Sequence, residues 1–394
     1  MFIKKIHLQN FRNHINFLLE PAKKMMLVCG PNGVGKTSIL ESISMLSPGK
    51  GLLGAEIAEQ NYRDDIFNLN TVNKKTTNNA APNKLPSQLN TLLYKNIPYK
   101  PYTITASLDG VIDIEIEARK RGAGFGKKIT ICNKNTKSQK DLLQWCDIIW
   151  FSAKQQYSLD RAQTRRALID RLAFHCNHNH AEKIKQHELL VKDRMAILKQ
   201  NTFDPKFLDA IEFQIAIIAL DIAKNRVSLI NQLHELSHEK DGEFNVIKDK
   251  MVLHIDGETE KMITKGSTDD EVINFVKTEF LNRRKKDGIV EQTTFGVHKS
   301  KIQITNGNNI SFFTLSSGQQ KLLFFSMIQI FCKLMNDTKK RKPIVLIDEV
   351  ISFLDDHNIE IAIDSLQSMS AQIWMTSPKV LNNIPSNAQV LQLT

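Results

Sequence analysis

VCGPNGVGKTSIL, Val28 to Leu40, is the stretch on which the fold turns. The apolar run Met25 to Cys29 predicts a strand, Gly30 to Gly35 a glycine-rich turn, and Lys36 onward a helix with Ile39, Leu40 and Ile43 on one side. Glycines let backbone N–H groups fold around phosphate oxygens, and a nascent helix adds unpaired amides and a positive dipole end. Strand, loop and helix in that order read as a P-loop. Lys36 then reaches the β- and γ-phosphates, and Thr37 ligates Mg2+.

The chain has 394 residues, enough for two domains. Its net charge of +11 and pI near 9.2 favour a polyanionic partner such as nucleic acid. There is no long uncharged apolar run and no basic amphipathic anchor at either end, so no membrane partner is expected. Met1 to Leu8 alternates as a strand does and lacks the apolar core of a signal peptide. Cys29, Cys132, Cys146, Cys176 and Cys332 show no paired spacing, which suits a reducing cytoplasm.

Short strands are expected at Ile3 to Leu8, Ile15 to Leu19 and Met25 to Cys29, with Arg12 in the first turn. Residues 61–100 are rich in Asn, Thr, Lys and Pro and read as a polar insertion. Val111 to Ala118 alternates Ile112, Ile114, Ile116 against Asp113, Glu115, Glu117, and with Lys128 to Cys132 predicts an antiparallel hairpin. The basic stretch Arg119 to Lys140, Lys127 and Lys128 included, reads equally as a solvated edge or as a surface for DNA phosphates. From about Ser158 to Lys286 the chain reads as helical, with Ala181 to Lys199 and Leu208 to Leu236 as an antiparallel pair, and a capping box at Thr268 and Glu271 opening a further helix.

LSSGQQK, Leu315 to Lys321, enters an apolar helix, and Pro343 to Ile347 is an apolar strand ending in Asp348 and Glu349. An acid at the carboxyl end of a buried parallel strand can hold the Mg2+ shell, and the next carboxylate can orient or deprotonate a water. Asp348 and Glu349 are therefore the candidate catalytic acids, with Lys36.

P-loop, LSxGQ, strand with Asp-Glu and then LDD resembles, in that order, the ATP-binding-cassette heads of the SMC superfamily. LQNFRNH (Leu8 to His14), SPGKGL (Ser47 to Leu52), WFSAKQQYSLDRAQTRRALIDRLAF (Trp150 to Phe174), GVHKSKIQI (Gly296 to Ile304) and SSGQQKLL (Ser316 to Leu323) narrow the resemblance to the RecF recombination-repair family. Lys301 and Lys154 stand where that family is usually acidic. The resemblance implies an α/β fold: an ABC-type ATPase head, with a P-loop mixed sheet and N-terminal antiparallel strands, and an inserted helical domain. On that reading residues 1–155 and 290–394 form the head and 156–289 a helical arm. It implies that Gly30, Asn32, Gly33, Val34, Gly35, Lys36, Thr37 and Ser38 cradle ATP, with Arg12 near the phosphates and Thr376 sensing the γ-phosphate. Ser316, Gly318 and Gln319 would contact the nucleotide of a second subunit, and Asp355 would lie at the dimer interface. The implied activity is slow ATP hydrolysis that times an ATP-dependent homodimer on double-stranded or gapped DNA. RecR- and RecO-type mediators would cooperate with it in loading a recombinase. The alternatives are a cassette ATPase of a transporter, or one of an SMC-like nuclease or defence system.

Three further signals are weaker. Cys176 and His180 in FHCNHNH share a helical spacing suited to zinc, but no second ligand pair accompanies them, so a polar helix surface is preferred. Arg161 and Arg165 would face one way and could meet DNA phosphate, pair with acids or line the nucleotide site. RRKK (Arg283 to Lys286) and KKRK (Lys339 to Lys342) read as solvated loops.

Overall fold

The structure is a computed structural model that describes residues 2–61, 100–121, 124–136, 138–200, 204–238, 250–339, 342–351, 354–381 and 384–394. The polar stretch predicted at 61–100 lies outside them except for its two end residues. The chain forms two compact units, one of residues 1–152, 341–352 and 371–394, the other of 153–340 and 353–370.

In the first unit, β1 (Ile3–Phe11), β2 (His14–Leu19), β4 (Thr103–Leu108), β5 (Ile112–Arg121), β6 (Gly124–Ile131) and β7 (Lys134–Asn135) form an antiparallel sheet in the order β2-β1-β4-β5-β6-β7. The hairpin register sets Ile114 opposite Ile131 and Glu117 opposite Lys128. Its period of two sends Ile112, Ile114 and Ile116 into the core and leaves Asp113 and Glu115 exposed.

The second sheet of this unit is parallel, in the order β13-β3-β12-β11-β8: β13 (Ala388–Gln392), β3 (Met25–Cys29), β12 (Gln372–Ser377), β11 (Ile344–Asp348) and β8 (Ile148–Ser152). Every residue of β3 and β12 is buried, as expected when both faces of a parallel sheet are covered. The helix α1 (Lys36–Ser44) packs on β8, β11 and β12 and on β1 of the other sheet, so a single core runs through both sheets. Between the sheets, the buried Gln372 amide accepts from Ile3 N at 2.8 Å and donates to Ile3 O at 2.9 Å.

The second unit contains α2 (Ala153–Tyr157), α3 (Ala162–Cys176), α4 (His180–Leu198), α5 (Pro205–His238), β9 (Val252–Asp256), α6 (Glu258–Thr264), α7 (Asp269–Val290), β10 (Lys301–Thr305), α8 (Ser317–Lys339) and α9 (Asp356–Gln367). The stretch read as wholly helical includes a strand: β9 pairs antiparallel with β10. Five residues are too few to show a period against long helical neighbours, and only the partner 45 positions on makes them a strand. Thr268 and Glu271 form the reciprocal capping box that opens α7.

Two buried guanidiniums tie these helices together. Arg194 reaches Glu212 on α5 at 2.8 Å and Asp287 on α7 at 2.7 Å. Arg226 reaches Asp170 on α3 and the carbonyl oxygen of Val297, each at 2.7 Å. Removing one member of such a set strands the others in low dielectric. RRKK lies within α7 rather than in a loop, because Arg283 and Arg284 bind Glu279 and Glu212 and so become part of the packing. Of KKRK, Lys339 ends α8 beside His178, and residues 340–341 lie outside the described set. Among the described residues no helix is long and apolar enough to cross a membrane.

Candidate active site: the P-loop and the acidic strand end

The first unit brings the P-loop, Asp348, Glu349 and Thr376 together. β3 delivers the loop and β11 delivers Asp348, but the two strands are not neighbours, since β12 runs between them. Thr376, near the end of β12, joins the two sides. Its hydroxyl lies 2.8 Å from Asp348 Oδ1 and accepts from the Glu349 N–H at 2.9 Å. The Thr37 hydroxyl, from the first turn of α1, reaches the same Oδ1 at 2.9 Å. Burial pushes the Asp348 carboxyl up from its ordinary range, while the Thr376 and Thr37 hydroxyls and Lys36 pull it back down in part. Glu349 follows at φ 57, a left-handed conformation uncommon for a non-glycine residue, and it bends the chain directly after the buried strand.

Within the loop, Lys36 Nζ donates to Gly30 O and Pro31 O, both at 2.8 Å, so the ammonium is folded over the turn. Gly33 and Gly35 sit at φ 92 and 100, which a side chain would resist. A Cβ on Gly30 would collide with the Leu393 carbonyl, because β13 leads its chain directly against the loop. Val34 lies inside the glycine turn, Asn32 is exposed, and Ser38 is buried in α1.

Arg12 is held by the helix rather than left open. Its Nε and Nη2 bind both oxygens of Glu41 at 2.7 Å each, and Nη1 binds the Glu59 carbonyl at 2.7 Å. Glu41, a carboxylate 0% exposed in the middle of α1, is marked by no motif. A charged residue set among Ile39, Leu40 and Ile43 was the available signal. Asn13 and His14, which follow Arg12, reach the P-loop carbonyls: Asn13 Nδ2 donates to Gly33 O at 2.8 Å, and His14 Nε2 lies 3.2 Å from Gly35 O.

The signature stands in the second unit. Ser316 Oγ accepts from Gln319 N at 3.3 Å, and Gln319 Oε1 accepts from Ser316 N at 3.0 Å, so S-x-x-Q is a capping box at the start of α8. Ser316 and Gln319 are exposed, and Gly318 packs beside Asn358. Asp355 caps α9, accepting from Asn358 N at 2.8 Å, and that hydrogen bond holds its carboxyl below the usual range.

The four basic candidates for DNA differ in setting. Lys127 and Lys128 point to opposite faces of β6, as consecutive strand residues must. Lys128 stands opposite Glu117, whereas Lys127 is half-buried over Gly49 O, and burial lowers its pKa to about 8. Arg165 is committed to the carbonyls of Ile302, Leu159 and Asp160 and lies over the Phe313 ring, while Arg161 is exposed at the start of α3. His180 of the FHCNHNH segment is buried against Asp170 at 2.9 Å and Asn225 at 3.2 Å.

A family model described as an AAA domain matches residues 5–253, more than half of the chain. Over its whole length the chain is 27% identical to the DNA replication and repair protein RecF of Rickettsia akari, covering 99% of that protein, and 27% identical to RecF of Rickettsia typhi, again covering 99%. The chain belongs to the AAA domain family and to the RecF family. In fold it is similar to the structure of the recombination mediator protein RecF-ATPrS in the RecFOR pathway. The TM-score is 0.75 at 18% identity, covering 100% of this chain and 96% of that one. The corresponding RecF-ATP structure gives a TM-score of 0.74 at 18% identity, covering 98% and 93%. The RecF-type α/β ATPase fold, with its antiparallel and parallel sheets, is therefore the architecture of this chain.

Proposed function

We propose that this RecF-type chain is an ATPase of recombinational DNA repair and replication whose hydrolysis cycle gates dimerisation on double-stranded or gapped DNA. The observation that carries the reading is the convergence of Thr37 and Thr376 on Asp348, with Glu349 next in the chain. The hydroxyl of Thr37 and the carboxylate of Asp348 are hard oxygen donors within 2.9 Å of each other, a donor set that fits Mg2+. Bound there with ATP, that ion would neutralise phosphate charge. Lys36 would exchange a loop carbonyl for the β- and γ-phosphates, and the loop amides would hold the phosphate oxygens. Thr376 holds Asp348 and the backbone of Glu349 in place, so that the Glu349 carboxylate can take a proton from the attacking water.

The exposed capping box at Ser316 supports a role for the signature towards a second subunit, since its helix N-terminus is open to an anion. ATP would then join two copies, and loss of the γ-phosphate would release them. The charge of +11 supports a polyanionic partner. The relatives' names support DNA repair as the setting, with RecR- and RecO-type mediators as partners.

The test is fluorescence anisotropy of a labelled gapped duplex with ATP, with ADP and without nucleotide. Wild type should tighten with ATP, and Lys36→Ala and Ser316→Arg should not. Equal binding in every nucleotide state would refute gating and turn attention to a membrane-protein partner.

A further inference from the structure

The hairpin between β1 and β2 meets the P-loop at two carbonyls. Asn13 Nδ2 donates to Gly33 O at 2.8 Å, and His14 Nε2 lies 3.2 Å from Gly35 O. A carbonyl oxygen can only accept, so Nε2 carries the proton. Burial lowers the His14 pKa, so the neutral ring is the one that donates.

The two carbonyls matter because of what shares their peptide planes. In a trans peptide the C=O and the following N–H point in opposite directions. Holding Gly33 O therefore aims the Val34 N–H, and holding Gly35 O aims the Lys36 N–H. These are amides of the kind that line a phosphate nest. A glycine at positive φ precedes each, and glycine resists peptide rotation least. The Gly35 carbonyl also accepts the first helical bond of α1, from Ile39 N at 3.2 Å, so His14 is a second hold on the plane of the Lys36 N–H, while Asn13 holds that of Val34. With these holds removed, the Val34 N–H would sample other directions and the Lys36 N–H would be less firmly aimed.

The turn that does the holding is itself fixed. Its first central residue, Arg12, takes φ 52, where hairpins favour glycine or asparagine. That conformation is retained by the bidentate grip on Glu41 and by the Arg12 N–H, which donates to Gln60 O at 2.9 Å. The close approach also explains Gly35 sterically, since a Cβ there would lie 2.8 Å from His14 Nε2.

We propose that Asn13 and His14 are positioning residues that pre-orient the Val34 and Lys36 amides for the phosphates of a nucleoside triphosphate. This rests on the ATPase reading above and assigns part of the nucleotide affinity to two side chains that act through the loop amides they orient. Pre-orientation spares the ordering cost at binding, so its loss should weaken affinity rather than slow the chemical step.

The experiment measures ATP affinity by calorimetry and steady-state turnover for wild type, Lys36→Ala, Asn13→Ala, His14→Phe and His14→Gln. Phe keeps a ring beside Phe17 without a donor, and Gln restores an N–H at similar reach. Asn13→Ala and His14→Phe should each bind ATP roughly 3- to 10-fold more weakly, the worth of one hydrogen bond, with turnover at saturation within about 2-fold. His14→Gln should recover to within about 2-fold of wild type, which a merely structural role would not require. Unchanged affinity in Asn13→Ala and His14→Phe, with binding lost in Lys36→Ala, would overturn the proposal and leave the ATPase reading standing. Failure of His14→Gln to recover would overturn the role of the His14 donor. Absence of ATP binding by wild type would remove both.

Discussion

Replacing Arg12 by Met should destabilise the first unit severely, because the buried Glu41 carboxylate would lose the hydrogen bonds to both of its oxygens and keep only the charge of Lys127 nearby. Glu41 is 0% exposed, and Arg12 supplies contacts at 2.7 Å to both of its oxygens. Breaking a buried pair by removing one partner costs about 3–5 kcal/mol, since the desolvation of the survivor is no longer offset. For a unit of this size each kcal/mol moves the midpoint by roughly 2–4 °C, so the drop should be roughly 6–20 °C. All three tryptophans, Trp145, Trp150 and Trp374, belong to this unit, so intrinsic fluorescence during heating of the nucleotide-free protein reports on it directly. The double variant Arg12→Met/Glu41→Met should recover most of the loss, because two apolar side chains leave no buried carboxylate stranded and Lys127 keeps Glu56 as a charge partner. A midpoint for Arg12→Met within about 2 °C of wild type, with ATP affinity lowered about tenfold, would refute this reasoning and make Arg12 a phosphate ligand.

Other outcomes follow from the same geometry. Thr376→Val keeps the shape but strands the Glu349 N–H and removes one hydroxyl from Asp348, each worth about 1–3 kcal/mol, so phosphate release should slow at least about tenfold. Thr376→Ser should restore it. Gly30→Ala should lower the midpoint of the first unit and weaken nucleotide binding, because the new Cβ meets the Leu393 carbonyl, and intrinsic fluorescence with ATP titration checks both. His187 and His298 pack 5.5 Å apart between ring centroids, and burial lowers their pKa values to about 3 and about 4. Both folded values lie below the ordinary 6.5, so the unfolded chain takes up protons first and stability falls as pH drops from about 6.5 towards 4 and 3. At pH 5 the loss should be about 2 kcal/mol per histidine. Circular dichroism of the helical unit measures it, and a flat stability profile between pH 7 and 4.5 would contradict the burial.

The P-loop, the signature and the acidic strand end were legible in the sequence because each is a short local pattern whose chemistry demands its spacing. Glycines at 30, 33 and 35 permit the turn, Lys36 and Thr37 must follow at once, and Asp348 must close an apolar strand. The β5–β6 hairpin and the α7 capping box were legible for the same reason, since period two and S/T-x-x-E act within one turn or one pair of strands. Local patterns carry no partner information. Nothing at Val252 to Asp256 announced a strand until β10 paired with it, and nothing in the alternation of acids and lysines told Lys127 to bury while Lys128 faced Glu117. That β12 separates the loop strand from β11, and so makes Thr376 the link to Asp348, depends on strand order. Strand order is set by which crossovers can cover both faces of a parallel sheet. The Arg12 grip on Glu41 and the reach of Asn13 and His14 to the P-loop carbonyls join residues about 20 to 30 apart through a core shared by two sheets. The sequence alone determined which groups could do the chemistry, and the tertiary packing decided which side chains hold those groups in place.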